Sequence, residues 1–214
     1  MRLDHVSYVA SHDQISDVVN RIGSQIGTAF VDGGIHPKFG TRNFTAPLLN
    51  GQYIEVVCPM DHPATDSTPF GRAVRKKLLD GGGWFTWVFE LEKISLMEEI
   101  LGRKAVEGKR KKPDGSVLEW RQIGVLETLE NYEFPFFIEW ISKTHPSTYG
   151  KPIAAIDKIQ IAGSAQKLSK YISGDIKSYL ESIELVWENF NETQHENGIT
   201  TIEFKINGRN VSII

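Results

Sequence analysis

The sequence predicts an α+β protein built from an internal repeat, and three observations predict it. The segments LDHVSYVASHDQI (3–15), GGWFTWVFELEKI (82–94) and IDKIQIAGSAQKL (156–168) align without gaps, each an apolar strand pattern running into a helix. The downstream ends match too: Tyr53-Ile54-Glu55-Val56, Phe137-Ile138-Glu139-Trp140 and Thr201-Ile202-Glu203-Phe204 each place a carboxylate after an isoleucine. Extended stretches separated by turn signals lie between these ends in the first two copies, so both read as strand, helix, strand, strand, strand.

In the first strand, alternation puts Val6 and Tyr8 on one face and Leu3, His5, Ser7 and Val9 on the other. The helix that follows carries Ile15, Val18, Val19, Ile22 and Ile26 at helical spacing, behind a Ser11-x-x-Gln14 capping-box pattern. In the second copy Ile94, Met97 and Leu101 form the same stripe. In the third Leu168, Tyr171 and Ile172 do, behind Ser164 as N-cap. A strand is expected around 28–32, an extended GTRNFTAPL segment (40–48) before the Asn50-Gly51 turn, and a hairpin over 109–126 turning at Pro113-Asp114-Gly115. The third copy is shorter, with a polar loop at 189–198 before its last strand. The organisation is then module one at 1–80, module two at 81–150 and a C-terminal partial module at 151–214.

At 214 residues and 40% hydrophobic content the chain can bury a substantial core. No apolar run approaches the roughly 18 residues of a membrane span, and MRLDHVSYVA lacks the apolar stretch of a signal peptide. A cytoplasmic protein with no membrane partner is expected. The single cysteine, Cys58, excludes an internal disulfide and a thiolate-rich zinc site. With 24 basic and 27 acidic residues, a net charge of -3 gives no reason to expect nucleic acid. The basic run Lys109-Arg110-Lys111-Lys112 abuts the Pro-Asp-Gly turn and reads as a solvated hairpin tip.

A repeated βαβββ unit with a histidine on its first strand and glutamates on its last strands resembles the vicinal-oxygen-chelate superfamily, which includes glyoxalase I, extradiol dioxygenases and bleomycin-resistance proteins. The nearer resemblance is to the glyoxalase-like domain family, carried by LDHVSYVA (3–10), GGIHPKFGTRN (33–43), YIEVV (53–57) and PFFIEW (135–140) after LEWRQ (118–122). It implies two modules paired into an open, cup-shaped mixed sheet with helices outside. It also implies metal ligands from the first and last strand of each module. Carried over by position, these are His5, Glu55 and Glu139, and the fourth position falls on Trp84, which cannot ligate a metal. One histidine and two carboxylates suit zinc, manganese, iron(II) or magnesium.

Glu55 and Glu139 are also candidate catalytic bases, and His36 is either a further ligand or acid/base group or a turn histidine pointing to water. Asn43, Trp84 and Arg121 are candidate substrate contacts. Alternation allows only one of Arg42 and Asn43 to face inward, and the resemblance favours Asn43. Lys158 opposite Glu203 reads as an ion pair, not a further site. The resemblance implies a small-molecule ligand, held either by a metal-dependent lyase or isomerase acting on a carbonyl or hydroxy substrate, or by a non-catalytic binder of the bleomycin-resistance type. The third module would leave an apolar face and a sheet edge to be covered, which suggests a homodimer through that module.

Overall fold

A computed structural model describes residues 1–180, 182–189 and 197–214. The first unit runs β1 (Arg2–Val9), α1 (Ile15–Ile26), β2 (Val31–His36), β3 (Thr41–Pro47) and β4 (Tyr53–Pro59). Two linking helices follow, α2 (Pro63–Ser67) and α3 (Pro69–Leu79). The second unit is β5 (Gly83–Glu90), α4 (Ser95–Leu101), β6 (Val106–Lys111), β7 (Val117–Ile123), a short α5 (Val125–Glu130) and β8 (Phe136–Trp140). The third is β9 (Ala154–Ala162), α6 (Ala165–Ile172), β10 (Glu184–Glu188), β11 (Gly198–Ile206) and β12 (Arg209–Ile213). Most of the polar loop expected at 189–198 lies outside the described residues. The strand expected around 28–32 begins at Val31, because Gly27 ends α1 in a left-handed conformation and the chain needs several residues to turn back.

The local signals act as their chemistry requires. Ser11 Oγ accepts from Gln14 N at 3.2 Å ahead of α1, and Ser164 Oγ accepts from Lys167 N at 3.3 Å at the start of α6. Ile15, Ile22 and Ile26 are buried, as are Ile94 and Met97 of the second stripe and Leu168 and Ile172 of the third.

The first two units share one sheet in the order β1-β4-β3-β2-β6-β7-β8-β5, and it closes into a barrel instead of remaining an open cup. In each unit the first strand lies parallel to the last, β1 with β4 and β5 with β8. The seams are the antiparallel pair β1–β5 and a single pairing of Ile35 with Lys111 between β2 and β6. Gly34 permits that second seam: its φ is 98°, and a Cβ there would meet the Lys111 carbonyl oxygen at 1.9 Å.

The third unit repeats the element order but not the topology. Its sheet runs β10-β9-β11-β12, so β9 lies between a parallel β10 and an antiparallel β11. Glu203 therefore sits on β11 beside the first strand, facing Lys158 in register. Lys158 approaches Glu184 at 3.2 Å and Glu203 at 4.0 Å, the ion-pair arrangement expected of it.

Two apolar clusters divide the molecule. Val9, Val57, Phe70, Phe85, Val88, Trp120, Phe136 and Ile138 belong to one, which fills the barrel around its cavity. The other lies between the barrel's outer face and the second sheet and contains Leu3, Val6, Ile54, Val56, Trp84, Trp87, Phe89, Ile159, Ile161, Ile202 and Phe204. The third unit's apolar face is thus covered by its own chain, which removes the packing reason for expecting a partner subunit there. No helix among the described residues is long and apolar enough to cross a membrane.

Two β-bulges set which residues face which cluster. On β1 the register passes from Leu3–Phe89 to His5–Val88, leaving Asp4 unpaired. Leu3 therefore faces outward with Val6, not inward with His5. On β5 the register passes from Ser7–Thr86 to Tyr8–Trp84, so Phe85 is the extra residue. The phase flips there, and Trp84 leaves the barrel interior. It is 3% exposed, meets Tyr8 edge-on at 5.3 Å, and its indole N–H donates to the Ile213 carbonyl at 2.8 Å. Trp84 joins barrel to second sheet. A Trp84→Phe substitution should lower stability in urea by about 2 kcal/mol, through the lost ring volume and the unpaired carbonyl, while leaving ligand binding inside the barrel unchanged. Denaturation followed by circular dichroism measures the first effect and calorimetry the second.

Candidate functional site

The barrel encloses a cavity of about 30 Å³, room for a water or two. His5, His36, Tyr53, Glu55, Arg110 and Gln122 line it with a wall of Phe70, Trp120, Phe136, Ile138 and Trp140. It adjoins an outer pocket of about 130 Å³ that shares Phe70 and Gln122 and is walled mainly by Phe39, Pro69, Val106, Val125 and Leu126.

Alternation along β1 and β4 brings His5, Ser7 and Glu55 inward. Glu55 is buried, and its two oxygens have separate donors: Ser7 Oγ to Oε2 at 2.8 Å and Asn43 Nδ2 to Oε1 at 2.6 Å. Burial alone would push this carboxyl up, but the electrostatic pull of His5 and the hydrogen bonds from Asn43 and Ser7 outweigh it and hold Glu55 below the usual glutamate range. His5 Nε2 faces Glu55 Oε2 across 3.9 Å. The imidazole is stacked on Tyr53 with ring centroids 4.4 Å apart, and Phe136 meets its edge.

Behind His5 stands Asp4, fully buried at the bulge. It accepts from His5 Nδ1 at 2.7 Å, from His145 Nε2 at 2.8 Å and from Trp140 Nε1 at 3.3 Å. Desolvation would raise its carboxyl, yet the hydrogen bonds from His145 and His5 and the charge of both rings prevail, and Asp4 is held well below the usual carboxylate range. An ionised Asp4 can face only an N–H, so the Nδ1 proton of His5 is fixed and Nε2 is the atom presented to the cavity.

The structure thus brings together His5, Glu55, His36 and Asn43. Arg42 faces away, paired with Asp32. Glu139 and Arg121 are not in the cavity. On β8 it is Phe136, Ile138 and Trp140 that face inward, and on β7 Trp120 and Gln122. Glu139 instead accepts from the Ile94 N–H at 3.1 Å on the outer face, where Arg121 lies 3.5 Å from it and 2.5 Å from Glu98. A one-residue offset between the Tyr-Ile-Glu-Val and Phe-Ile-Glu-Trp segments explains the correction, because it moves a side chain to the opposite side of the sheet. Trp84 is likewise outside, as the bulge at Phe85 requires.

Among the described residues no group of three or more His, Cys, Asp or Glu side chains is arranged to hold a metal ion. Of the candidate ligand positions, His5, His36 and Glu55 line the cavity while Glu139 and Trp84 do not, and the Arg110 guanidinium shares it. The residues present do not fit the metal centre that the resemblance implies.

Sequence reasoning missed Asp4, Arg110, Gln122 and His145. For Arg110 the sequence offers no apolar alternation to read: in β6 Gly108 and Arg110 are buried while Val106, Glu107, Lys109 and Lys111 are exposed. The basic run is one strand seen from both faces, not a solvated tip, and Arg110 is 3% exposed.

His36 is buried against Phe39, Phe70 and Trp120, its Nδ1 2.8 Å from Thr41 Oγ1. Burial is the main reason its value is pushed down, from 6.5 to about 4, with Arg110 adding to it against the opposing pull of Glu55. The ring is neutral at pH 7. Unfolded chains take up this proton as pH falls through 6.5 and folded ones only near 4, so stability should drop across that window, by up to about 3 kcal/mol. Asp4 and Glu55, whose folded values are depressed, lose their contributions below the ordinary carboxylate range. Urea midpoints measured between pH 7 and 4 should fall in the wild type and fall less steeply in His36→Gln.

The crystal structure of a hypothetical protein from Staphylococcus aureus is similar over 96% of this chain and 91% of its own, with a TM-score of 0.67 at 14% identity, a shared fold. Methylmalonyl-CoA epimerase from Mycobacterium tuberculosis matches 65% of this chain and 86% of its own, with a TM-score of 0.42 and 15% identity. A single-residue variant of Streptomyces coelicolor methylmalonyl-CoA epimerase, in complex with 2-nitronate-propionyl-CoA, matches 66% of this chain and 99% of its own, with a TM-score of 0.43 and 10% identity. No curated protein matches the sequence. The model of the glyoxalase-like domain matches residues 3–172, spanning the whole barrel and the first strand and helix of the third unit, and the chain belongs to that family.

Proposed function

We propose that this protein binds a small carbonyl or hydroxy compound inside the barrel and moves a proton on it, with His5 as the acid–base group and Glu55 as the charge opposite it. The observation that carries this reading is the buried sequence Asp4, His5, Glu55. Asp4 fixes the tautomer and aim of the imidazole. Nε2 and the Glu55 carboxylate then face each other across 3.9 Å, too far for a hydrogen bond and open to a bridging substrate atom.

The roles follow from charge. Glu55, held ionised with its basicity lowered by Ser7 and Asn43, is the fixed negative charge that faces the proton being moved. His5 Nε2 accepts a proton in its neutral form and donates one once charged, and Asp4 stabilises that charged form across the Nδ1 hydrogen bond. The aromatic wall excludes water, which strengthens each of these interactions. A reaction of isomerase or lyase type, in which a proton beside a carbonyl is moved, is the chemistry such a pair serves. No step in it passes through a metal ion.

Proton nuclear magnetic resonance in D₂O, on a panel of small carbonyl and hydroxy compounds, tests this. The wild type should exchange an α-proton of at least one of them. His5→Gln and Glu55→Gln should each slow that exchange by about 10²–10⁴-fold, while Glu139→Gln, which alters only the outer face, should leave it unchanged. Binding without exchange would replace this reading with a sequestering protein. A divalent ion retained by protein purified without added metal, and lost in Glu55→Gln, would overturn the metal-free assignment.

A further inference from the structure

We infer that Arg110 is the anchor for an anionic group on the ligand, and that the ligand is a small carboxylic acid bound with its carboxylate on the Arg110 guanidinium. The inference rests on the small-molecule reading above and names the substrate class for that same cavity.

Arg110 is 3% exposed and lines the cavity beside His36, Glu55, Trp120 and Gln122. Its Nε and Nη2 atoms are sealed from solvent and have no hydrogen-bond partner. Elsewhere in the protein, arginines with a carboxylate in reach take it, as Arg42 does Asp32 and Arg121 does Glu98. Among the described residues no carboxylate lies within ion-pair distance of Arg110. A guanidinium cannot shed its proton to escape burial, as a lysine can, so an unpaired one is costly. A ligand carboxylate would supply the missing charge, with two oxygens matching the planar fork.

The surroundings are shaped for this. Gly33 backs the guanidinium: a Cβ at that position would lie 3.0 Å from Arg110 Nη1 and 2.2 Å from Asn43 Oδ1, so only glycine leaves both groups where they are. Asn43 Oδ1 is itself buried without a donor, while its amide nitrogen holds Glu55. A carboxylate held by Arg110 therefore lies in the same chamber as His5 and Glu55. The outer pocket beyond Phe70 and Gln122 adjoins the cavity and offers an apolar surface to the rest of the molecule.

The test is thermal denaturation of the full chain, at constant ionic strength, with formate, acetate, glycolate, inorganic phosphate or neutral acetamide titrated in. A carboxylate should raise the wild-type Tm saturably and acetamide should not. Arg110→Met should lose that response by at least tenfold in apparent affinity and, with the unpaired charge gone, unfold no earlier than the wild type without ligand. Arg110→Lys, which keeps the charge but not the fork, should bind with intermediate affinity and covers the case in which the methionine variant does not fold. The inference is overturned by a wild type that no carboxylate stabilises, by phosphate stabilising while carboxylates do not, or by equal responses in the wild type and Arg110→Lys. Proton exchange separates it from the acid–base reading. Carboxylate binding that persists in His5→Gln while exchange is lost supports both. Carboxylate binding without exchange in the wild type leaves the anchor standing and removes the acid–base role. Undiminished exchange in Arg110→Met removes the anchor alone.

Discussion

Asp4 holds a negative charge with no access to water, and much of the site depends on how that charge is kept. Transferring a carboxylate into a protein interior costs several kcal/mol unless donors replace its hydration. Three do so here. His5 comes from the neighbouring position on β1, Trp140 from the end of β8, and His145 from the segment that leaves the barrel for the third unit. One buried anion thereby ties the first strand to the last strand of the second unit and to the connection beyond. Because the His5 proton is committed to Asp4, the ring stacked on Tyr53 has one orientation and one free nitrogen.

Asp4 can occupy this place because it is the extra residue of a bulge. A regular strand would send Asp4 and His5 to opposite faces, one towards the second sheet and one into the cavity. The irregularity between Leu3 and His5 lets adjacent residues act together and returns Leu3 to the outer core. The bulge at Phe85 does the complementary work on β5, turning Trp84 outward to hold the second sheet and Phe85 inward to fill the barrel. Function and packing are divided between the two faces of one sheet by these two irregularities.

They also mark where the sequence could be read and where it could not. The βαβββ order of the first two units and the helix stripes were legible from apolar periodicity, and the polar residues set among apolar ones on β1 and β4 made His5 and Glu55 candidates whose inward aim only the packing fixes. On β8 every residue but Glu139 is large and apolar, so polarity did not fix the phase, and likeness to Tyr53–Val56 supplied the wrong one. In the third unit local pattern gave the first strand, the helix and the strand around 201–204 but not β10, β12 or the pairing order, since β11 pairs with β9 through contacts about forty residues apart that no short-range signal encodes. The Lys109–Lys112 run failed for a different reason. Four basic residues read as a block conceal the period of two that buries Arg110 and exposes its neighbours.

Arg110 and Asp4 present the same physical problem with opposite signs, and the chain resolves only one of them internally. The anion has its donors, from three separate segments, at 2.7–3.3 Å. The cation has a glycine that makes room for it, an uncharged amide oxygen nearby and no carboxylate. Both sit on strands of a closed barrel braced from outside by α1 and the second sheet, so neither can relax towards solvent without opening the sheet. A charge satisfied by the fold is a positioning device, since its partners are fixed whatever the cavity holds. A charge left unsatisfied by so rigid a frame makes the cavity selective, because a molecule bringing the opposite sign gains an interaction that water and neutral compounds cannot match.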